Sequence, residues 1–243
     1  TNGLTINGTG FNDVISDRGE WNGTGALNIS SGDGVDIIAI TTAQGSDTID
    51  AGSGNDFVYV SGISGRSYAE DASVDGGSGT DWLVIESAPA LTYSLNSGIT
   101  TGFENLRSYG NGDDDLTGDA TSNIIEAGAG ADTIRGGDGN DTLYGYFSDN
   151  SYGYSTEGDD LLYGEAGDDT LVGGAGDDTL DGGLGSDILT GDGGSSDYER
   201  GGAQGTDTFV LRAGDGGSDE ASADTITDFT DGTDFLGLAG GLQ

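Results

Sequence analysis

The sequence predicts an all-β fold, a parallel β-roll in which short strands coil and stack like a β-helix with cations between the turns. Three observations carry this expectation: a nine-residue period, an acid followed two places later by an apolar residue in each period, and glycine at three places of each turn.

The period is plainest from Ala127, where the chain reads AGAGADTIR and GGDGNDTLY, then an interruption, then STEGDDLLY, GEAGDDTLV, GGAGDDTLD and GGLGSDILT. The unit is Gly-Gly-x-Gly-x-Asp-x-U-x, with U a large aliphatic residue. The same frame recurs at 31–39, 42–50, 51–59 and 76–84, with weaker copies at 8–16, 109–117, 118–126 and 202–210. The sixth place reads Asp13, Asp36, Asp47, Asp56, Asp81, Asp114, Asn123, Asp132, Asp141, Asp160, Asp169, Asp178, Asp187 and Asp207. The eighth reads Ile15, Ile38, Ile49, Val58, Leu83, Leu116, Ile125, Ile134, Leu143, Leu162, Leu171, Leu180, Leu189 and Phe209.

Each unit divides into a turn and a strand. Glycine at places one, two and four allows positive φ and close backbone approach, so carbonyl oxygens can point into a shared cavity that the aspartate closes. The last three residues form a short strand with U on one face and its neighbours on the other. One apolar residue per strand cannot stabilise an isolated sheet, but stacked strands bury U as a column. Two units make a coil, so turns on one side lie eighteen residues apart in sequence and about 4.8 Å apart in space. Stacking brings Asp141 towards the turn of Asp169, Asp160 towards Asp178, and Asp169 towards Asp187. Such a ladder of like charges repels itself. A hard dication between successive turns resolves it, and Ca²⁺, with six to eight oxygen ligands in a flexible shell, fits better than Mg²⁺.

Composition calls for the same neutralisation. The 243 residues carry 44 acids against 6 basic residues, all arginine, with 50 glycines and a formal net charge of −38. With only 33% hydrophobic residues, the bare chain leans towards disorder. Without His or Cys the usual zinc sites cannot be built, and without His, Cys or Lys the common general bases and nucleophiles are missing. Nucleic acid and anionic membrane are poor partners for so acidic a chain. No apolar run reaches the length of a membrane span, no disulfide can form, and no signal peptide or initiator Met is visible. The chain reads as a processed product or an excised piece.

The array breaks at 60–75 and 88–108, which predicts two blocks: an irregular N-terminal roll over 1–87 and a C-terminal roll over 88–243. The latter carries an inserted loop at 145–154 and a closing segment at 205–238. With Tyr144 and Tyr163, the inserted GYFSDNSYGY gathers six aromatics. It reads as a loop folded back over the roll, with a sugar or partner contact as the alternative. Thr48, Thr133, Thr142, Thr170, Thr179 and Thr208 at the seventh place read as outward-facing β-formers. An ice-binding lattice is disfavoured because the ninth place is irregular (Asp50, Tyr59, Arg135, Tyr144, Val172, Asp181).

The nonapeptide resembles the RTX, or hemolysin-type calcium-binding, repeat family. YSLNSGITTGFENLR (93–107) looks like the connecting strand that precedes RTX blocks. GTDTFVL (205–211) with DTITDFTDGTDFLGL (224–238) is similar to the closing segment. The resemblance implies a β-roll with Ca²⁺ between turns. One turn would give carbonyls of its first and third residues plus its Asp, and the turn one coil later carbonyls of its second and fourth residues plus its Asp. That joins Gly164, Ala166 and Asp169 to Gly183, Gly185 and Asp187, and Gly136, Asp138 and Asp141 to Glu165, Gly167 and Asp169. The wider implied ligand set takes in Asp36, Asp47, Asp56, Asp81, Asp114, Asn123, Gly128, Gly130, Asp132, Gly139, Asp160, Gly173, Gly174, Ala175, Gly176, Asp178, Gly182 and Asp207. Asn123 replaces an acid and implies a weaker site. The frame slips after 189 through GDGGSSDYERG, so the densest run, Asp132 to Asp187, holds the most secure sites.

Family members include metalloproteases, lipases, epimerases, adhesins and surface-layer proteins, exported from bacteria by a type I system. The expected function is a secreted structural calcium module that folds on binding several Ca²⁺ outside the cell or at its surface. Partners are the calcium ions, with self-association or a cell-surface partner in the alternative reading of a surface-layer or adhesin protein. A third reading is the repeat domain of an enzyme whose catalytic domain is absent. The chain itself has no GxSxG or HExxH motif, and the acid pair Asp197 and Glu199 has only residue type to recommend it.

Overall fold

The computed structural model describes residues 4–16, 26–40, 47–61, 73–86, 90–98, 100–146, 158–193, 205–212, 223–230 and 232–239. They fall into two units, Thr1–Ala88 with Leu95–Tyr109, and Pro89–Ser94 with Gly110–Gln243. Among the described residues the strands pair in parallel and there is no α-helix. This is the predicted β-roll.

In the first unit one sheet holds β1 (Leu4–Asn7), β3 (Leu27–Ser30), β5 (Thr48–Asp50), β7 (Ser73–Asp75) and β10 (Thr100–Thr101). The other holds β2 (Val14–Ser16), β4 (Ile37–Ile40), β6 (Phe57–Ser61), β8 (Trp82–Glu86) and β11 (Asn105–Gly110). Strands alternate between the sheets, so each successive pair is one coil. Register is set by the apolar column: Ile29, Ile49 and Val74 align in the first sheet, and Ile38, Val58, Leu83 and Leu106 in the second, all buried. A slip of one residue would turn the whole column to solvent.

The second unit repeats the plan. One sheet runs β9 (Thr92–Ser94), β12 (Asp115–Thr117), β14 (Thr133–Asp138), β16 (Leu161–Ala166), β18 (Thr179–Leu184), β20 (Thr208–Arg212) and β22 (Phe235–Ala239). Its partner runs β13 (Ile124–Gly128), β15 (Thr142–Tyr144), β17 (Thr170–Gly174), β19 (Ile188–Asp192) and β21 (Thr225–Ile226). Leu116, Ile134, Leu162, Leu180 and Phe209 line one inner face and Ile125, Leu143, Leu171 and Leu189 the other, each 0% exposed. Burying one such side chain is worth about 1.5–3 kcal/mol. The six seventh-place threonines are half-buried and lie on the outward faces of the strands.

The stretch 93–107 corrects one expectation. It is not a single connecting strand: it breaks into the end of β9, a 3₁₀ turn at Leu95–Ser97, β10 and the start of β11. Gly98 and Gly102, with φ of 76° and 67°, redirect the chain between these pieces. Of the insertion 145–154, residues 147–154 lie outside the described residues, as do Asp197 and Glu199. Tyr146 is described. Its ring meets that of Tyr144 edge-on at 5.7 Å, and it stands beside Val172 where a side chain on Gly193 would project.

Candidate metal centres between stacked turns

The turns that follow the strands are shaped by what lies one coil away. Gly183 and Gly185, places two and four of the turn ending in Asp187, have φ of 96° and 150°. A Cβ on either would collide with the carbonyl of the equivalent residue one coil earlier, Glu165 or Gly167. Glycine is therefore needed for both conformation and clearance. Gly128, Gly130, Gly139, Gly167, Gly174 and Gly176 share the positive φ. At the first place the constraint is local: a Cβ on Gly136, Gly164, Gly173 or Gly182 would meet Oδ2 of that turn's own aspartate.

Positive φ at alternate places makes successive carbonyls point in opposite directions along the stack. Those of places two and four face the following coil, and that of place one faces the preceding coil, since a Cβ on Gly164 would strike the carbonyl of Gly182. The third place also faces back: Gly167 N–H donates to the Leu184 carbonyl at 2.8 Å, and Gly139 N–H to that of Ala166 at 2.8 Å. This reverses the pairing that the resemblance implied. Gly164 and Ala166 face the turn of Asp141 rather than that of Asp187. The gap between the turns of Asp169 and Asp187 is lined instead by carbonyls of Glu165 and Gly167 from one side and of Gly182 and Leu184 from the other.

The sixth place forms one ladder along each side of the coil. Each aspartate N–H donates to Oδ1 of the aspartate one coil later: Asp141 to Asp169 at 2.7 Å, Asp169 to Asp187 at 2.9 Å, Asp132 to Asp160 at 2.7 Å, Asp160 to Asp178 at 2.8 Å and Asp178 to Asp207 at 3.0 Å. Asp114 joins through Asp132 at 2.7 Å. In the first unit Asp36 N–H meets Asp56 at 2.7 Å, Asp56 meets Asp81 at 2.7 Å, and Leu27 N–H meets Asp47 at 2.6 Å.

Oδ1 is thus fixed, whereas Oδ2 of Asp36, Asp47, Asp56, Asp81, Asp132, Asp141, Asp169, Asp178 and Asp187 is buried with no hydrogen-bond partner. A buried anionic oxygen without a partner is costly. Burial, reinforced by neighbouring carboxylates, pushes Asp178 up to about 8, Asp132 and Asp187 to about 7, and Asp141 and Asp169 to about 6. Among the described residues no three carboxylates converge as a metal cluster. Each gap instead offers two carboxylates with backbone carbonyls, an all-oxygen donor set that suits a hard, flexibly coordinated cation such as Ca²⁺.

Asn123 keeps its place in the ladder, donating from its N–H to Asp141 Oδ1 at 2.8 Å. Its own Oδ1 accepts from Asp119 N–H at 2.8 Å, closing its turn from within. Glu104, Asp224 and Asp234 occupy the same structural place without having been anticipated: they accept from the N–H of Asp81 at 2.8 Å, Asp187 at 3.0 Å and Asp207 at 3.3 Å. The available signal was the apolar residue two places on: Leu106, Ile226 and Leu236.

The fifth place forms a second ladder of opposite sense. Asp168 Oδ1 accepts from Ser186 N–H at 3.0 Å, Asp159 from Asp177 at 2.9 Å, Asn140 from Asp168 at 3.1 Å and Asp113 from Ala131 at 3.0 Å. A side chain treated as free by the nonapeptide formula therefore clips the following turn, while its neighbour at place six clips the preceding one.

Coils of this form, with carbonyl- and carboxylate-lined gaps, define a parallel β-roll built for hard cations. The model of the RTX calcium-binding nonapeptide repeat (4 copies) matches residues 40–62, 109–143, 117–151, 154–189 and 163–196. Over these matched segments the chain carries repeats of this calcium-binding family. No curated protein matches the chain.

Proposed function

We propose that this chain is a secreted structural module that folds as several Ca²⁺ ions occupy the gaps between its stacked turns outside the cell. The observation that carries this reading is the set of buried, partnerless Oδ2 atoms at the sixth place. The gaps between Asp141 and Asp169 and between Asp169 and Asp187 would each hold an ion between two such aspartates and the facing carbonyls. Scarce cytosolic calcium would leave the self-repelling chain unfolded for export, and millimolar calcium outside would drive folding by mass action. Among the described residues no helix is long and apolar enough to cross a membrane. The two blocks, 1–87 and 88–243, would load separately. Circular dichroism during calcium addition tests the proposal: β signal should rise with calcium, and a full β signal in chelator that calcium leaves unchanged would sink it.

A second reading, self-association in a surface layer or adhesin, is favoured by β22. This edge strand exposes Phe235, Leu236 and Leu238 at 61%, 50% and 59%, and unpaired apolar edges invite strand addition. Light scattering at millimolar calcium should then show oligomers, and a strict monomer would reject it.

A further inference from the structure

One turn of the first unit does not follow the nonapeptide. After β10 the chain passes through only Gly102, Phe103 and Glu104 before β11, whose Asn105 aligns with Trp82. Glu104 therefore stands where an aspartate would, one coil after Asp81. Asp81 is 0% exposed, and its Oδ2 has no hydrogen-bond partner. Its N–H donates to Glu104 Oε2 at 2.8 Å. The Gly102 carbonyl faces back, because a Cβ on Gly76 would collide with it. The Gly77 carbonyl faces forward and would lie 2.9 Å from a Cβ on Gly102.

We infer that Asp81 and Glu104, with the carbonyls of Gly77 and Gly102, form a further calcium site in this non-repeat turn. It rests on the reading that the gaps between turns hold calcium, but lies outside the residues matched by the repeat family. Glutamate suits the place because its extra methylene extends the carboxylate from a turn that is too short to bring an aspartate as deep. The short turn also offers fewer carbonyls, so water must complete a shell of about six to eight oxygens. This site is accordingly weaker than its neighbours and fills last.

Trp82 directly follows Asp81, which provides a local probe. In the full chain carrying Trp21→Phe, terbium emission excited through Trp82 should rise in two phases, the weaker from this site. Glu104→Gln keeps an oxygen to accept the Asp81 N–H but removes the charge. It should abolish the weaker phase and lower the calcium count by one in native mass spectrometry, while Asp169→Asn leaves that phase intact. An unchanged ion count and emission in Glu104→Gln overturn the inference while leaving the other sites standing. Should that variant fail to fold, a single phase in the parent overturns it equally. A parent chain that binds no calcium at all defeats the broader reading.

Discussion

The N–H of Asp169 donates to Oδ1 of Asp187 across 2.9 Å, leaving Oδ2 of Asp187 buried without a partner. One carboxylate oxygen thus holds the stack in register and the other is left for a cation. Asp187→Asn preserves the first role and weakens the second. Calcium affinity measured by calorimetry should fall at least about tenfold for the affected gap, about 1.4 kcal/mol, with the β signal at saturating calcium retained.

The fifth-place ladder separates shape from charge. Asn140 already does for Asp168 what Asp168 does for Ser186. Asp168→Asn should therefore leave the calcium-loaded melting temperature nearly unchanged. Asp168→Ala strips the acceptor from the Ser186 N–H and should cost about 0.5–1.5 kcal/mol, read by denaturant unfolding in calcium.

Acid should replace calcium in part. Burial raises Asp178 to about 8, Asp132 and Asp187 to about 7, and Asp141 and Asp169 to about 6, above the ordinary 3.8. The cation-free roll binds more protons than the unfolded chain. Its stability is therefore greatest below about pH 4 and is lost as pH rises through 6 to 8. Protons compete with calcium for the same carboxylates, so calcium affinity should fall as pH drops through that window. Circular dichroism of the calcium-stripped chain at pH 4.5 and 8 checks the first part, with more β signal expected at the lower pH. Calorimetry across the range checks the second.

Glu165 sits at φ 75° where the repeat has glycine. A left-handed non-glycine residue costs about 1–2 kcal/mol. Glu165→Gly should relieve that strain and raise the melting temperature in calcium, and an unchanged or lower value would show that the glutamate side chain compensates in the fold.

The fold was legible because Asp-x-U recurs: the spacing of Asp169 and Leu171 fixes turn, strand and inner face at once. What the sequence concealed was direction. Carbonyl orientation depends on the sign of φ at the second place, held by Glu165 in one coil and Gly183 in the next. Residue type at that place does not say which coil each carbonyl addresses. Glu104 was hidden because it ends a three-residue turn, so nine-residue spacing passes over it. Asp224 and Asp234 were hidden because longer connections, 37 and 27 residues, separate them from Asp187 and Asp207. Asp168 was overlooked for another reason: the repeat formula writes its place as any residue.

The ladder tolerates changes in the chain between its rungs. Asp160 and Asp178 are 18 residues apart, whereas Asp141 and Asp169 are 28 apart and Asp178 and Asp207 are 29 apart, yet each pair makes the same hydrogen bond. Coil geometry is thus decoupled from linker length. Such a chain is a display rack: foreign peptides spliced after Tyr146 or Gly193 can be carried without re-engineering the shelves that bear them.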